Sequence, residues 1–244
     1  MLAGFSPDTV KKLVEFALKA GKGRHHITRL YMYRYLNDKL AEMDGPEKKC
    51  LAISKSKPFA KILGLAKTSV VEANYPEYDI MNLSSFADGS FDFSISDQVF
   101  EHIEGDPFAA FKETTRVLRQ GGVVCHTTCF INPVHGVPKD FWRFTPDALG
   151  LLAKSSGCEV METGGWGNVE AWALIHAGFR YTKIPEDENN PLYQIAMKNE
   201  PSPSYSVRPD GACHQWRKDP PRELSIDLVA DERLGRVTDD VEAS

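Results

Sequence analysis

Five side chains able to bind, pair or move protons fall within nine residues: His135, Lys139, Asp140, Trp142 and Arg143. An imidazole near a carboxylate is suited to general-base work. An arginine fork can hold a carboxylate or phosphate through two parallel hydrogen bonds, and an indole can stack on a sugar or a ring. The stretch around them, INPVHGVPKDFWRFTP, contains Pro133, Pro138 and Pro146, which fix a backbone that a simple connection would leave loose. Two readings follow. One is a wall that orients a polar substrate, with His135 and Asp140 as catalytic residues and Trp142 and Arg143 as binding residues. The other is a structural clasp, with Trp142 and Phe144 buried and Arg143 paired to Asp140. Further candidate bases are Glu101, His102 and His126. His126 lies inside a strand pattern, where a histidine is usually a satisfied core group.

The elements that must hold these residues alternate between strand and helix. CLAIS reads as a strand, PFAKILGL as a helix and TSVVEAN as a second strand, with a short third strand at residues 78–80. FDFSISD is a fourth strand, residues 107–118 a helix, and GVVCHTTCF a fifth strand. Thr145 caps a helix running to residue 156. CEVMETGG is a sixth strand, residues 169–177 are helical, and LYQIAMKN is a seventh strand. The order implies an α/β fold, a Rossmann-like, mostly parallel sheet of seven strands with helices on both faces. Ahead of it, residues 1–46 predict a helical extension, with helices after Ser6-Pro7 and over residues 27–43. The α/β domain spans residues 47–199, and residues 200–244, proline-rich and then acidic, predict an irregular tail. In an open α/β sheet, ligands gather beyond the carboxyl ends of the strands. That places Ser54, Lys55 and Ser56, Asn74, Asp79 and Ile80, and Asp97 and Gln98 at one edge.

The run FADGSFDFSISDQVFEHI followed by FKETTRVLRQGGVV resembles the class I S-adenosylmethionine-dependent methyltransferases, of the type 11-like kind. The Glu101-His102 pair, Arg116-Val117-Leu118 and the Gly121-Gly122 turn carry the likeness. The resemblance implies S-adenosylmethionine as cofactor. It assigns the methionine part to the turn Ser54, Lys55 and Ser56, the ribose to Asn74, and the adenine to Asp79 and Ile80. Asp97 and Gln98 fall where the cofactor's methionine end meets the substrate. The glycine-rich motif is degenerate in this chain: Ala52 stands where the family has an acidic residue, and both glycines are replaced. Serines are small enough for close backbone approach, and asparagine can bond a diol without a charge-assisted bond. His135, Asp140 and His102 are the catalytic candidates. The basic aromatic stretch at residues 24–35 is either a lid offering Tyr31, Tyr33 or Tyr35 to the pocket, with Tyr31 preferred, or a packed helix. The implied function is methyl transfer to a small polar molecule or glycan intermediate. The alternative is an inactive methyltransferase-like binding or regulatory protein.

A net charge of −5 disfavours a nucleic-acid partner and leaves small molecules as the expected ones. No apolar run approaches the ~18 residues of a membrane span, so no membrane partner is expected. Five scattered cysteines without close CxxC pairing point to reduced thiols and a cytoplasmic setting. Cys125 and Cys129 are expected on one strand as core thiols.

Overall fold

The computed structural model describes residues 7–136, 138–198 and 215–218. The helices are α1 (Pro7–Ala20), α2 (Leu30–Leu40), α3 (Lys57–Ile62), α4 (Pro107–Arg116), α5 (Pro146–Ser155), α6 (Val169–His176) and α7 (Pro191–Met197). The strands are β1 (Lys49–Ile53), β2 (Ser69–Ala73), β3 (Phe91–Asp97), β4 (Leu118–Thr127), β5 (Cys158–Glu162) and β6 (Gln215–Lys218). Short 3-10 turns flank α2, so the helix expected over residues 27–43 is an α-helix with a tighter turn at each end.

The sheet order is β2-β1-β3-β4-β6-β5. The first four are mutually parallel, and β6 runs antiparallel between β4 and β5. The two inner parallel strands alternate between two cores. Leu51 and Ile53 face Phe100, Phe111 and Leu149 under α4 and α5, whereas Cys50 and Ala52 face Leu36 and Phe59 under α2 and α3. Apolar side chains on both faces are what a doubly covered parallel sheet requires. A third cluster joins Leu13, Ala17 and Ile27 to Leu174, Leu192 and Ile195, seating α1 on α6 and α7.

Three expectations are corrected. Among the described residues the sheet has six strands, not seven. Residues 78–80 form no strand: Asp79 turns the chain, its Oδ1 accepting the Met81 N–H at 2.9 Å and its backbone bridging only to Asn82. LYQIAMKN is helix α7 rather than a strand, because Asn190 caps it through the Leu192 N–H and Pro191 sits in its first turn. The antiparallel strand comes instead from residues 215–218, within the stretch expected to be irregular. The Ser6 cap and the rest of the tail lie outside the described residues, as does Cys213. Cys50, Cys125 and Cys129 are free thiols, and β4 ends before Cys129 instead of carrying it beside Cys125. Among the described residues no helix is long and apolar enough to cross a membrane.

Candidate active site

The carboxyl edge of the parallel strands is built from three turns. After β1 the chain reverses through Ser54 and Lys55, with φ of 49° and 65°. This left-handed backbone is one that glycine enters freely and other residues enter at a cost. The turn therefore keeps a glycine-like shape with side chains attached. Its N–H groups are engaged internally: Ser54 donates to the Ala73 carbonyl at 2.9 Å, Lys55 to Asn74 Oδ1 at 2.6 Å and Ser56 to the Ile53 carbonyl at 3.2 Å. Ser56 is buried, and its hydroxyl accepts the Asp97 N–H at 3.0 Å, tying the first turn to β3. Asn74 thus braces the turn through its carbonyl oxygen. Ile80 is buried in the core beneath Asp79.

The second turn follows β3. Asp97 Oδ2 accepts the Tyr33 hydroxyl at 2.7 Å, and Oδ1 accepts the Thr127 hydroxyl at 2.6 Å. The Arg29 guanidinium lies 3.8 Å away. Burial, and then the Asp97 charge, push the Tyr33 phenol well above its ordinary range, so it stays a donor. Gln98 has φ of 59° and is held by its N–H to the Thr127 carbonyl at 2.8 Å. Tyr33 and Arg29 are the contributions of the N-terminal segment that the preference for Tyr31 missed. Tyr31 stacks instead beside Tyr35, with Trp166 behind it. The signal was available in the alternation of basic and aromatic residues around α2, but not which tyrosine turns inward. An open cavity of about 520 Å³ lies beside this point, lined by Tyr33, Arg34, Asn37, Ile62 and Met197 among others.

The third part joins the turn after β3 to the proline-rich loop. Phe141 and Trp142 donate their N–H groups to the Glu101 carbonyl at 2.8 and 3.0 Å. The Trp142 indole donates to the Ile103 carbonyl at 2.9 Å. These bonds bring His135 to His102, with Nε2 atoms 3.3 Å apart and rings nearly perpendicular. His102 Nδ1 lies 2.9 Å from the Lys139 carbonyl. His135 Nδ1 lies 3.0 Å from Asp140 Oδ2. The Asp140 side chain is 1 % exposed, and Arg143 grips both its oxygens at 2.5 and 2.6 Å. That fork holds the Asp140 carboxyl well below the usual carboxylate range. Glu101 is buried, which pushes its carboxyl upward, and it accepts the Thr128 hydroxyl at 2.9 Å. Beside it, burial pushes the Cys129 thiol up to about 12, so it is no thiolate nucleophile. The Arg143 fork is engaged with Asp140 and with the Asn132 carbonyl, while Trp142 keeps one partly exposed face. His126 is fully buried between the Ser96 and Thr114 hydroxyls, at 2.8 and 2.9 Å, and takes no part.

Residues 31–126 match the model of a methyltransferase domain family. Over that stretch the chain is similar to a methyltransferase domain. The matched segment runs from α2 through β4, so it contains both Tyr33 and the turn of Glu101 and His102. No curated protein matches the sequence closely enough to count as a relative. Among solved structures, a candidate sarcosine dimethylglycine methyltransferase of Galdieria sulphuraria is 15% identical, with a TM-score of 0.48 over 86% of this chain and 98% of that one. The 1,6-didemethyltoxoflavin-N1-methyltransferase of Burkholderia thailandensis is 10% identical, with a TM-score of 0.47 over 77% of this chain and 78% of that one. An S-adenosylmethionine-dependent methyltransferase of Aquifex aeolicus is 16% identical, with a TM-score of 0.41 over 64% and 90%. Likenesses this distant carry no argument about the chemistry.

Proposed function

We propose that the chain performs S-adenosylmethionine-dependent methyl transfer to a small polar molecule or glycan intermediate. The observation that carries this reading is that Ser54 to Ser56, Asn74, Asp79, Asp97 and the histidine pair all stand at or beyond the ends of parallel strands within, or adjoining, the matched methyltransferase segment. The residues fit the nucleoside half of the cofactor: Asp79 keeps one carboxylate oxygen beyond the Met81 bond, Ile80 offers an apolar floor, and the Asn74 amide N–H₂ can meet a diol. They fit the methionine half by shape, since the left-handed Ser54-Lys55 turn lets the backbone approach closely. S-adenosylmethionine supplies an electrophilic methyl group when bound. The chain's own contribution is placement: Trp142 offers a stacking face, and His102 and His135 meet the acceptor's hydroxyl or amine with Asp140 holding His135 from behind. Held in line, an acceptor needs little else, because fixed proximity alone lowers such barriers by several kcal/mol, up to about 10.

The test is titration calorimetry and thermal shift with S-adenosylmethionine and S-adenosylhomocysteine at millimolar concentration. Binding heat and a raised melting temperature are expected. Neither ligand producing either signal would end the reading. A second reading, an inactive binding or regulatory protein, draws support from the internally engaged N–H groups of the first turn. A methylated product that depends on His135 or Asp140 would eliminate it.

A further inference from the structure

Glu101, His102 and His135 present one ligand atom each within 4.8 Å of the others. The carboxylate comes from the turn after β3 and the second imidazole from the proline-rich loop, so the set exists only because the loop is pinned to the Glu101 carbonyl. Both imidazoles are oriented from behind. A carbonyl accepts and never donates, so the Lys139 contact puts the His102 proton on Nδ1 and leaves its Nε2 lone pair bare. His135 Nδ1 is held from two sides, by Asp140 Oδ2 at 3.0 Å and by the Asn132 side-chain amide at 3.2 Å. The two Nε2 atoms face each other across 3.3 Å. With the His135 proton on Nδ1 both present lone pairs to a cation; with it on Nε2 the two rings share a hydrogen bond.

We infer that Glu101, His102 and His135 form a binding site for a divalent first-row transition ion such as Zn²⁺. The spacing fits the ion. Two nitrogens at the usual zinc distance of about 2.05 Å, and 3.3 Å from each other, subtend about 107° at the metal, close to the tetrahedral angle. The donor set is two imidazoles and one carboxylate, which favours Zn²⁺ or Fe²⁺ over Mg²⁺ and Ca²⁺. Each ligand already has an outer partner: Lys139 carbonyl for His102, Asp140 for His135, and the Thr128 hydroxyl for Glu101. Outer partners of this kind fix ring orientation and raise ligand basicity. The two histidines are partly exposed while Glu101 is buried, so the remaining coordination positions open outward, toward water or an acceptor oxygen. Metal binding itself does not depend on methyl transfer. If that reaction also occurs, the ion is the means by which the histidine pair activates the acceptor.

The competing arrangement is a proton shared between the two Nε2 atoms in place of the metal. Tag-free chain stripped with a chelator separates the two. It is titrated with Zn²⁺ in competition with a chromophoric chelator, and with Co²⁺ by absorption, both without S-adenosylmethionine. Expected are one equivalent bound and a cobalt spectrum free of thiolate charge-transfer bands. Affinity falls at least tenfold in both His102→Ala and His135→Ala, and about tenfold in Asp140→Asn through the outer partner. Mg²⁺ in excess does not compete. His135→Gln, which keeps bulk on the exposed loop, must lose the metal at an unchanged metal-free melting temperature. No stoichiometric binding, binding that survives both histidine substitutions, or thiolate bands in the cobalt spectrum each overturn the inference. A positive metal result with no cofactor binding refutes methyl transfer alone, and the converse refutes the metal alone.

Discussion

His26 sits at the start of the segment that delivers Arg29 and Tyr33 to Asp97, and it makes that segment acid-sensitive. The residue is 8% exposed. Nδ1 accepts the Thr28 N–H at 3.3 Å and faces the Thr28 hydroxyl at 2.6 Å, capping the first turn. Burial, then the charges of Arg29 and Arg180, push its pKa from 6.5 down to about 3. The sign follows directly. As pH falls below 6.5 the unfolded chain takes up a proton that the folded chain refuses, so stability is full above that value and is lost progressively down to about 3. At pH 5 the unfolded histidine lies about 1.5 units into its protonated range, which corresponds to about 2 kcal/mol lost relative to pH 7. That is a large share of the roughly 5–15 kcal/mol by which domains are stable. The perturbation is His26→Asn, whose Oδ1 keeps the cap acceptor without a titrating ring. Urea unfolding of both proteins at pH 7 and pH 5, followed by tryptophan fluorescence, should show the wild type losing about 2 kcal/mol more than the variant. All other ionisable groups are common to both and cancel. Equal losses in the two proteins would refute the reasoning.

Three further outcomes are expected. Arg143→Ala removes the guanidinium fork from Asp140 and leaves it the His135 contacts, which should cost about 2 kcal/mol in chemical denaturation, with Arg143→Lys rescuing little because a point charge cannot replace the fork. Lys55→Gly relieves a left-handed position on an exposed side chain and should stabilise the chain by about 1 kcal/mol, read as a raised urea midpoint at unchanged slope. Asn74→Asp puts a charged acceptor beside the proposed ribose position and should tighten S-adenosylhomocysteine binding about fivefold in calorimetry.

The sequence periods that specify β1 to β4 and α3 to α5 were legible because a doubly covered sheet writes itself as apolar strands between capped helices. The N-terminal segment and α7 were less so. In LYQIAMKN the apolar residues Leu192, Ile195 and Ala196 recur at helical spacing, and Asn190-Pro191 is a start signal, but so short an apolar run fits either period. Residues 215–218 gave no strand pattern amid prolines, since their pairing is dictated by β4 and β5. At the site, Glu101, His102, His135 and Asp140 were each visible as reactive types. Their convergence was not, because it depends on backbone bonds from Phe141 and Trp142 to a carbonyl some forty residues earlier.

The placement of β6 bears on the order in which the molecule can be made. Its partners β4 and β5 are synthesised first, yet β5 is hydrogen-bonded into the sheet through β6. Some fifty residues separate the end of β5 from β6. Until that late segment arrives on the ribosome, β4 offers an unpaired edge, a template for pairing between nascent chains. A strand inserted last, between two already formed, also demands a long-range closure before it is rewarded. The yield of folded protein should therefore depend on how quickly residues 215–218 emerge and dock, and on chaperones that shield the gap in the meantime.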